Sequence, residues 1–513
     1  MKPKGNGVVI GIDLGTTLSG VAIYEADTKV RMLANADGEL LTPSVVNLRD
    51  EQRPVVGTAA LNELAFAPEF SVRLVKRSMG KRDAQGNPVN VLIHPTSGKT
   101  YVPEEISALI IRYLVDSVEA GLGVHVAGVV ITVPAYFDDP PRVATRRAGE
   151  LAGVKVLGII NEPTAAGLAF GVDHGEDGRL VVFDFGGGTF DTTILDICGG
   201  NFQVMATDGD RDLGGSDIDN LLIEKVAQAF KAEHGVEISP QTDLPAHLET
   251  LAKCEIAKKT LSQAETASFM VSASGKRLVF DITRAEFNAL IAPLVERTRM
   301  ITQRALDAAK LQPKDIKDVL LVGGSSRIPL VREMLTELFG KKPRTDAKPD
   351  EAVAMGAAIF AARLGVDAKL AVVDTEGRKV LPPAPKIVDV NAHGLGCLAF
   401  VKDVELNCVI IPPNTPLPAE QEDMFALQQE TQTEAPVVIT QGRHHVPPSE
   451  CNVIGEMVLK DLPPGPLVDR IRVKYGLAAD GTLHITVTDT VSKKSTSDIK
   501  RGLAHLIAKT PHN

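Results

Sequence analysis

The same pattern of apolar and polar positions occurs twice in the chain. Residues 8–17 read VVIGIDLGTT and residues 181–191 read VVFDFGGGTFD. Each copy is an apolar, largely β-branched run that ends in an aspartate and is followed by a glycine-containing turn and a threonine. An apolar run without polar alternation is typical of a strand that is buried on both faces. We therefore predict two related strand–turn elements.

Strand and helix patterns alternate between residue 8 and about residue 365, which favours an α/β fold with largely parallel sheets. Thr283 and Glu286 have the spacing of a capping box and predict a helix start, and Pro293 should kink or interrupt that helix. Helical periodicity extends over four stretches, which are 104–120, 215–233, 244–263 and 283–310.

The pattern changes near residue 366. Residues 366–390 are proline-rich and predict an extended linker with a short apolar end. Short alternating runs follow, and the clearest predicts a hairpin of residues 470–475 with residues 483–487 around an Asp-Gly turn. We expect four parts: an α/β domain over 1–365, the linker 366–390, a compact antiparallel β domain over 391–498, and a short tail over 499–513.

The turns of the two repeated elements suit phosphate binding. Glycines allow the backbone N–H groups of a turn to approach an oxyanion closely. Asp13 and Asp184 end the strands beside these turns, where carboxylates can hold hydrated Mg²⁺. One such turn alone is usually a simple hairpin, but two copies predict a nucleotide clamped between two related lobes. The chain lacks GxxxxGK[ST] and a GxGxxG after a strand, which disfavours P-loop NTPases and Rossmann dehydrogenases.

Two further segments can contact a ligand. Glu255, Lys258 and Ser262 share one face of a predicted helix, although on spacing alone an ordinary solvated face is the preferred interpretation. Residues 323–329 read GGSSRIP after the apolar run 319–322. A strand exit of this kind can approach a ligand closely, although by itself it indicates only the end of a strand.

Composition narrows the class of protein. The chain has 513 residues, enough for about two to four domains, and its net charge of −10 argues against a nucleic-acid or membrane-surface partner. We expect no signal peptide and no membrane span, because the N-terminus lacks an apolar core and no apolar run of about 18 residues follows. Five scattered cysteines indicate reduced thiols, so we predict a soluble cytoplasmic protein.

Together, these segments resemble the DnaK-type, seventy-kilodalton heat-shock chaperone family. Sugar kinases and actins share the duplicated fold of this family but not IINEPTAA or LVGGSSRIP. Over residues 8 to about 362, the motifs that carry the resemblance are GIDLGTT (11–17), VKRSMGKR (75–82), ITVPAYFDD (131–139), IINEPTAA (159–166), VVFDFGGGTFD (181–191), LGGSDID (213–219) and LVGGSSRIP (321–329). The β region resembles the family's peptide-binding sandwich more weakly, through DVNAHGLG (389–396), IIPPNTPLP (410–418) and ADGTLHITVTD (479–489).

The resemblance implies an α/β actin-like duplicated ATPase domain followed by an all-β antiparallel sandwich domain. Asp13 and Asp184 would bind Mg²⁺ and K⁺ mostly through water, and Lys76 would position the attacking water. Glu162 and Asp191 would complete the polar ring around the γ-phosphate. Phosphate oxygens would be held by Gly15, Thr16, Thr17, Gly186, Gly187, Gly188 and Thr189. The other nucleotide-binding residues, most of them at the adenosine, would be Gly214, Gly215, Glu255, Lys258, Ser262, Gly324, Ser325, Arg327 and Asp350.

The same resemblance implies a function. The chain would hydrolyse ATP to ADP and phosphate, and a switch at Pro134 and Arg142 would let the nucleotide state control the binding of extended apolar peptides. Its partners would be unfolded peptides, a J-domain co-chaperone and a nucleotide exchange factor. The candidates for the peptide pocket, for which core packing is at least an equal explanation, are Leu395, Cys397, Phe400 and Val437.

The sequence departs from the family pattern in three places. We expect no helical lid after the sandwich, a linker that keeps only Ile387-Val388-Asp389-Val390 of the usual apolar signature, and no acidic tail at the C-terminus. An ATP-switched binding module for one dedicated client protein is therefore the alternative function. A small-molecule kinase on the same fold is disfavoured by the family motifs.

Overall fold

The computed structural model describes residues 6–500, apart from 27–28, 65, 84, 175–176, 345–350, 384–385 and 479–480. The predicted adenosine residue Asp350 and residues 501–513 of the predicted tail lie outside the described residues. In the described part of the chain, no helix combines the length and the apolar character needed to cross a bilayer.

The first α/β unit is built on a mixed sheet. In chain order its elements are β1 (Asn6–Asp13), β2 (Leu18–Tyr24), β3 (Val30–Leu33), β4 (Leu41–Pro43), β5 (Val46–Asn47), β6 (Val55–Val56), α1 (Thr58–Glu63), β7 (Ser71–Val72), β8 (Leu92–Ile93), β9 (Thr100–Tyr101), α2 (Pro103–Leu122), β10 (Val126–Val133), α3 (Asp139–Leu151), β11 (Val156–Asn161) and α4 (Glu162–His174). The strand order is β11-β10-β1-β2-β3. β10 is parallel to both β1 and β11, whereas β2 is antiparallel to both β1 and β3.

The second α/β unit repeats this arrangement. Its elements, followed by the helix α9, are β12 (Gly178–Phe185), β13 (Phe190–Cys198), β14 (Asn201–Asp210), α5 (Gly215–His234), α6 (Leu244–Leu261), β15 (Thr266–Ala273), β16 (Lys276–Thr283), α7 (Arg284–Ala308), β17 (Asp318–Val322), α8 (Pro329–Phe339) and α9 (Ala352–Asp367). The strand order is β17-β12-β13-β14, with β17 parallel to β12 and the other two pairs antiparallel.

The repeat predicted from the sequence is a pair of hairpins, β1–β2 and β12–β13. The residues of their first strands are largely buried, as predicted. The prediction of largely parallel sheets is wrong, because each sheet contains antiparallel pairs. The physical reason is the length of the connections, since a turn of a few residues can join only antiparallel strands, whereas parallel strands need a long crossover.

The four predicted helices are confirmed as α2, α5, α6 and α7, with ends shifted by a few residues. The capping box at the start of α7 is also confirmed. The N–H of Glu286 donates to Oγ1 of Thr283 at 3.2 Å, and the N–H of Thr283 donates to Oε2 of Glu286 at 2.9 Å. Pro293 does not interrupt the helix, because α7 continues through it.

Helices α4 and α9 form a layer between the two sheets. α9 packs on β1 and β2, α4 packs on β12 and β13, and the two helices pack on each other. Glycines allow direct contact between backbones in this layer. A Cβ added to Gly11 would lie 2.2 Å from the N atom of Ala358, and one added to Gly356 would lie 1.7 Å from the carbonyl oxygen of Ala165. This layer therefore sets the separation of the two sheets.

The C-terminal part is an all-β antiparallel sandwich, as expected. Its strands, preceded by two short strands of the linker, are β18 (Ala371–Val372), β19 (Ile387–Val388), β20 (Leu395–Val401), β21 (Val404–Ile411), β22 (Ala419–Phe425), β23 (Glu434–Gln441), β24 (Asn452–Lys460), β25 (Ile471–Leu477), β26 (Leu483–Asp489) and β27 (Ser495–Lys500). The two four-stranded sheets are β21-β20-β23-β24 and β22-β25-β26-β27, and they share one apolar core. The predicted hairpin is β25–β26, with Val473 opposite Val487.

The linker lies along both sheets. β18 pairs with β1, and β19 adds to the edge of the second sheet by pairing in parallel with β14. Asp389, which follows β19, is buried and accepts a hydrogen bond from Nδ2 of Asn161 at 2.8 Å. The short apolar end of the linker is therefore docked on the α/β part. The boundaries at 365 and 390 stay our proposal, and α9 continues to Asp367.

Candidate nucleotide site

The turns of the two hairpins lie against each other. A Cβ added to Gly187 in the second turn would lie 2.4 Å from Cγ2 of Thr17 in the first turn. A Cβ added to Gly188 would lie 2.3 Å from Cγ2 of Thr16. Glycine is therefore required at both positions by the close approach of the turns. The structure thus brings together the phosphate-binding residues that the sequence predicted in two separate segments.

Several backbone N–H groups of these turns are available to a ligand. The N–H of Gly15 donates to Oγ of Ser19 at 3.2 Å. In the two turns, which belong to the described residues, the N–H groups without an acceptor include those of Thr16, Thr17, Gly187, Gly188 and Thr189. Unpaired N–H groups on successive residues of a turn form a concave anion-binding site. Two such turns in contact fit the phosphate chain of a nucleotide.

A cluster of charged side chains is buried beside the turns. Lys76 is 5% exposed, and its Nζ donates to Oε1 of Glu162 at 2.5 Å. Asp184 and Asp191 stand directly opposite each other on β12 and β13, and Asp13 ends β1. The charges of Glu162, Asp13 and Asp184 all act on Lys76. The predicted catalytic residues are thus neighbours in space.

The carboxylates of this cluster outnumber its one cation. Burial, followed by the charge of Glu162, raises the pKa of Asp191 to about 8. Burial and the charges of Glu162, Asp191 and Asp13 raise the pKa of Asp184 well above its ordinary value. Burial alone would lower the pKa of Lys76, but the charges of Glu162 and Asp13 outweigh it and leave this pKa raised. Burial and the mutual repulsion of the carboxylates therefore disfavour the ionised forms of Asp184 and Asp191 when no cation is present.

The excess of carboxyl groups over cationic side chains fits a bound cation, which would favour the ionised forms of these carboxyl groups. Among the described residues, no group of three or more His, Cys, Asp or Glu side chains is arranged to bind a metal directly. Mg²⁺ usually keeps several water ligands and uses only one or two carboxylates together with phosphate oxygens. Asp13 and Asp184 therefore fit a hydrated Mg²⁺ that is bound together with a nucleotide.

The raised pKa of Asp191 predicts how the stability of the ligand-free protein depends on pH. The unfolded chain loses this proton near the ordinary aspartate pKa, whereas the folded protein keeps it up to about pH 8, so folding stability falls as pH rises through that window. One such group contributes a slope of up to about 1.4 kcal/mol per pH unit. We expect the melting temperature to fall between about pH 5.5 and pH 8, and Asp191→Asn to reduce this slope.

Thermal unfolding of the ligand-free protein at several pH values measures this effect. Asp116→Asn removes an exposed carboxylate from α2 and is the matched control, which should keep the full slope. An equal slope in the unchanged protein and in Asp191→Asn would contradict the assignment of the raised pKa to Asp191.

The predicted adenosine residues form a second group around Lys258. Its Nζ donates to the carbonyl oxygen of Gly215 at 3.1 Å and to Oδ2 of Asp219 at 2.8 Å. Oγ of Ser325 donates to the carbonyl oxygen of Gly186 at 2.9 Å. The start of α5, one face of α6 and the turn after β17 therefore converge next to the second hairpin turn. This convergence distinguishes the α6 face from an ordinary solvated face.

The other predicted adenosine residues lie near this group. Glu255 pairs with Lys259 at 2.8 Å, and Oγ of Ser262 donates to the carbonyl oxygen of Lys258 at 3.2 Å. Gly324 and Arg327 begin and end the 3₁₀ turn after β17. Gly214 precedes α5 as its N-cap residue.

The predicted switch residues are in direct contact. Arg142 is 3% exposed and donates to the carbonyl oxygens of Pro134, Ala135 and Phe137 at 3.4, 3.0 and 2.7 Å. Burial lowers the pKa of Arg142 to about 10, although the charge of Asp389 in the linker acts in the opposite direction. The switch therefore belongs to the α/β part and is close enough to the docked linker for the charge of Asp389 to act on Arg142.

The backbone of Tyr136 connects the charged cluster to the sandwich. Its N–H donates to Oδ1 of Asp191 at 3.0 Å, and its carbonyl oxygen accepts from Nε2 of His393 at 2.9 Å. The rings of Tyr136 and His393 also lie 4.5 Å apart. Nearby, the N–H of Asp139 donates to Oε1 of Gln441 at 3.0 Å. Residues of the sandwich therefore contact the same loop that contacts the charged cluster.

The four candidates for the peptide pocket do not form one surface. Leu395, Cys397 and Val437 are 1%, 2% and 5% exposed and belong to the sandwich core. Phe400 is 57% exposed. Side chains alternate between the two faces of a strand, so Phe400 lies on the opposite face of β20 from Leu395 and Cys397. The structure supports core packing, the alternative explanation from the sequence, for Leu395, Cys397 and Val437.

Sequence reasoning missed two partners of the carboxylates. Oγ1 of Thr132 donates to Oδ1 of Asp13 at 2.9 Å, and the N–H of Tyr136 donates to Asp191. Both residues belong to the motif ITVPAYFDD (131–139). Their position in this motif was the only feature of the sequence that could have indicated a role at the site. No spacing along the chain connects Thr132 with Asp13, because their contact depends on the pairing of β1 with β10.

Comparison with known proteins agrees with this geometry. The Hsp70 protein family matches residues 9–505. The chain belongs to the Hsp70 family. The chaperone protein DnaK of Thermotoga petrophila is 39% identical over 501 residues, which cover 96% of this chain and 80% of the relative. DnaK of Thermus thermophilus is 39% identical over 94% of this chain and 78% of the relative, and DnaK of Trichormus variabilis is 36% identical over 98% and 73%.

Membership of the Hsp70 family confirms the resemblance found in the sequence. The protein is an ATP-dependent chaperone of the DnaK type and an ATPase. Hsp70 proteins bind ATP and ADP with Mg²⁺, and membership also implies a peptide substrate and co-chaperones in general. The actin-like ATPase fold with a following β sandwich is confirmed as well.

Proposed function

We propose that this Hsp70 protein hydrolyses ATP at the two facing turns and uses the nucleotide state to control the binding of extended apolar peptides. One observation carries the proposal. Free backbone N–H groups on both turns lie beside Lys76, which is surrounded by buried carboxylates. This arrangement binds phosphate and can hold a water molecule next to it.

Each group of residues has its own role in this proposal. The free N–H groups of the turns hold phosphate oxygens together with the hydroxyls of Thr16, Thr17 and Thr189. Lys76 orients the attacking water, and Glu162 holds Lys76 in place through their hydrogen bond. No side-chain nucleophile is needed, because phosphoryl transfer to water depends mainly on positioning and charge stabilisation.

The remaining roles concern cations and adenosine. When bound, Mg²⁺ supplies positive charge that neutralises the phosphate oxygens. Asp13 and Asp184 would hold Mg²⁺, and K⁺ beside it, mostly through water. The group around Lys258 would bind the adenosine, namely Gly214, Gly215, Glu255, Lys258, Ser262, Gly324, Ser325 and Arg327, with Asp350 as a further proposed member. These side chains come from several elements that meet beside the second turn.

Coupling to the sandwich is proposed to pass through Tyr136 and the linker. Asp191 and His393 bind the same residue of the loop between β10 and α3. Asp389 of the linker binds Asn161, which directly precedes Glu162. A nucleotide that binds the docked arrangement more tightly than the undocked one shifts the population toward docking. Peptide affinity then follows the nucleotide state, with Pro134 and Arg142 as the switch.

The peptide is proposed to bind in an extended form. Such a ligand gains main-chain hydrogen bonds from strand edges and inserts apolar side chains into pockets. Phe400 and Val404 are 57% and 55% exposed at the β20–β21 hairpin, which makes this end of the sandwich the best place for an apolar ligand. A J-domain co-chaperone and a nucleotide exchange factor are the proposed protein partners, and the cytoplasm is the proposed location.

Single-turnover ATP hydrolysis tests the proposal. We expect hydrolysis that requires Mg²⁺, is faster with K⁺ than with Na⁺, and increases with a saturating apolar peptide. Hydrolysis without stimulation would favour the alternative, a binding module for one dedicated client. Equal rates with K⁺ and Na⁺ would contradict the K⁺ site alone, and no hydrolysis at all would contradict the proposed function.

A further inference from the structure

The three glycine carbonyl oxygens of the second turn all accept hydrogen bonds. The carbonyl oxygen of Gly186 accepts from the N–H of Gly215 at 3.0 Å and from Oγ of Ser325 at 2.9 Å. The carbonyl oxygen of Gly187 accepts from the N–H of Ser216 at 2.9 Å. The turn is therefore held by elements on its carbonyl side.

Arg77 holds the third of these carbonyl groups. Its Nε and Nη2 donate to the carbonyl oxygen of Gly188 at 2.9 and 2.8 Å. A trans peptide group is planar, so a carbonyl fixed on one side places its N–H on the other side. The N–H that shares this peptide group belongs to Thr189, which is one of the free donors of the turn. Arg77 therefore sets the direction of the Thr189 N–H.

Arg77 comes from the first α/β unit, unlike the other donors to this turn. It lies in a 3₁₀ turn over Val75–Ser78, directly after Lys76. The turn follows Leu74, whose φ is 55°. A left-handed backbone at a bulky residue costs energy and persists where the surrounding structure holds it. Arg77 thus ties the strained segment that carries Lys76 to the turn that carries Thr189.

A carboxylate holds the guanidinium group of Arg77 in this position. Its Nη1 donates to Oδ1 of Asp217 at 3.1 Å, and its Nη2 donates to Oδ2 of the same residue. Oδ2 of Asp217 also accepts from the N–H of Gly214 at 2.7 Å, at the start of α5. The planar guanidinium group can serve a carboxylate and a carbonyl oxygen together, whereas a lysine ammonium cannot reproduce this geometry.

We infer that Arg77 is a positioning residue for ATP hydrolysis, which keeps Lys76 and the Thr189 N–H at a fixed separation. This inference rests on the proposed function. Arg77 acts through the residues it holds, so its loss should impair the hydrolysis step more than the binding of nucleotide. A misplacement of about 1 Å at a reacting centre can lower a rate by about a hundredfold.

Comparing hydrolysis with binding in the same variants tests this inference. Arg77→Ala should lower the single-turnover rate at saturating ATP by about tenfold to a hundredfold, with ADP affinity and melting temperature nearly unchanged. Arg77→Lys should be similarly slow. Added guanidinium ion should restore part of the rate to Arg77→Ala but none to Lys76→Ala. The matched control is Arg363→Ala, which removes a surface arginine that pairs with Asp367 at 3.0 Å on α9.

Three results would overturn the inference. The first is an Arg77→Ala rate within about twofold of that of the unchanged protein. The second is a slow Arg77→Ala variant that has lost ADP affinity and melting temperature in parallel and does not respond to guanidinium, because this indicates a loosened fold. The third is an unchanged protein that does not hydrolyse ATP, in which case the proposed function fails and the role of Arg77 fails with it.

Discussion

Replacing Lys76 by alanine should lower the single-turnover hydrolysis rate by about a hundredfold to a thousandfold, while ATP still binds. Lys76 is a buried cation in a ring of carboxylates, and its Nζ is hydrogen-bonded to Glu162. Without it, the attacking water loses the group proposed to orient it, and the negative charge of Asp13, Asp184 and Glu162 is no longer offset. The phosphate-binding N–H groups are unchanged, so nucleotide affinity should be largely kept.

The measurement for Lys76 is hydrolysis of pre-bound ATP, with ATP affinity determined separately. Lys231→Ala is a suitable control, because Lys231 pairs with Glu237 at 3.1 Å on the surface, and its rate should equal that of the unchanged protein. A Lys76→Ala variant that hydrolyses ATP at the unchanged rate would show that Lys76 does not have the proposed role. Loss of ATP binding would instead indicate that the residue is needed to form the site.

Replacing Gly356 by alanine should destabilise the protein by about 3 kcal/mol, the upper end of what overpacking usually costs. The added methyl group would lie 1.7 Å from the carbonyl oxygen of Ala165. This oxygen belongs to the backbone of α4, so no side-chain rotation relieves the contact and the two helices must separate. Since α4 begins with Glu162, the separation should also disturb the bond between Glu162 and Lys76.

Thermal unfolding, together with the hydrolysis rate, measures the effect of Gly356→Ala. Gly121→Ala is the matched control, because Gly121 lies near the end of α2 and an added Cβ there meets no atom within 4 Å. Alanine has the higher helix propensity, so this control should be stabilised by up to about 1 kcal/mol. Equal melting temperatures for the two variants would show that the contact between α4 and α9 tolerates a methyl group.

The repeated element explains why much of the nucleotide site was predictable. Asp13 and Asp184 each end an apolar strand, and a glycine-containing turn follows each of them. These features are local, so they can be recognised in a single stretch of sequence. The helices were also predictable, because periodicity and the capping box of Thr283 and Glu286 are local signals.

Contacts between distant segments were not predictable in the same way. Arg77 lies in a motif that the sequence singled out, but nothing in that motif indicates a bond to Gly188 or Asp217. The direction of strand pairing was likewise misjudged, because helix and strand alternation does not show which strands are joined by hairpins. The sequence also did not show which apolar residues of the sandwich face its core. Leu395 is buried and Phe400 is exposed because their side chains lie on opposite faces of β20.

Tyr136 links the charged cluster to the sandwich through its main-chain atoms. Its N–H and C=O belong to two successive peptide groups, which are planar and rigid and rotate about the bonds of the same Cα atom. A displacement of Asp191 can therefore displace His393 through the backbone of Tyr136, without a change of side-chain rotamer between them. The tyrosine ring can vary while this connection survives, and proline is the substitution at position 136 that would delete its N–H. Coupling of this kind depends on the backbone conformation at position 136 and only weakly on which side chain stands there.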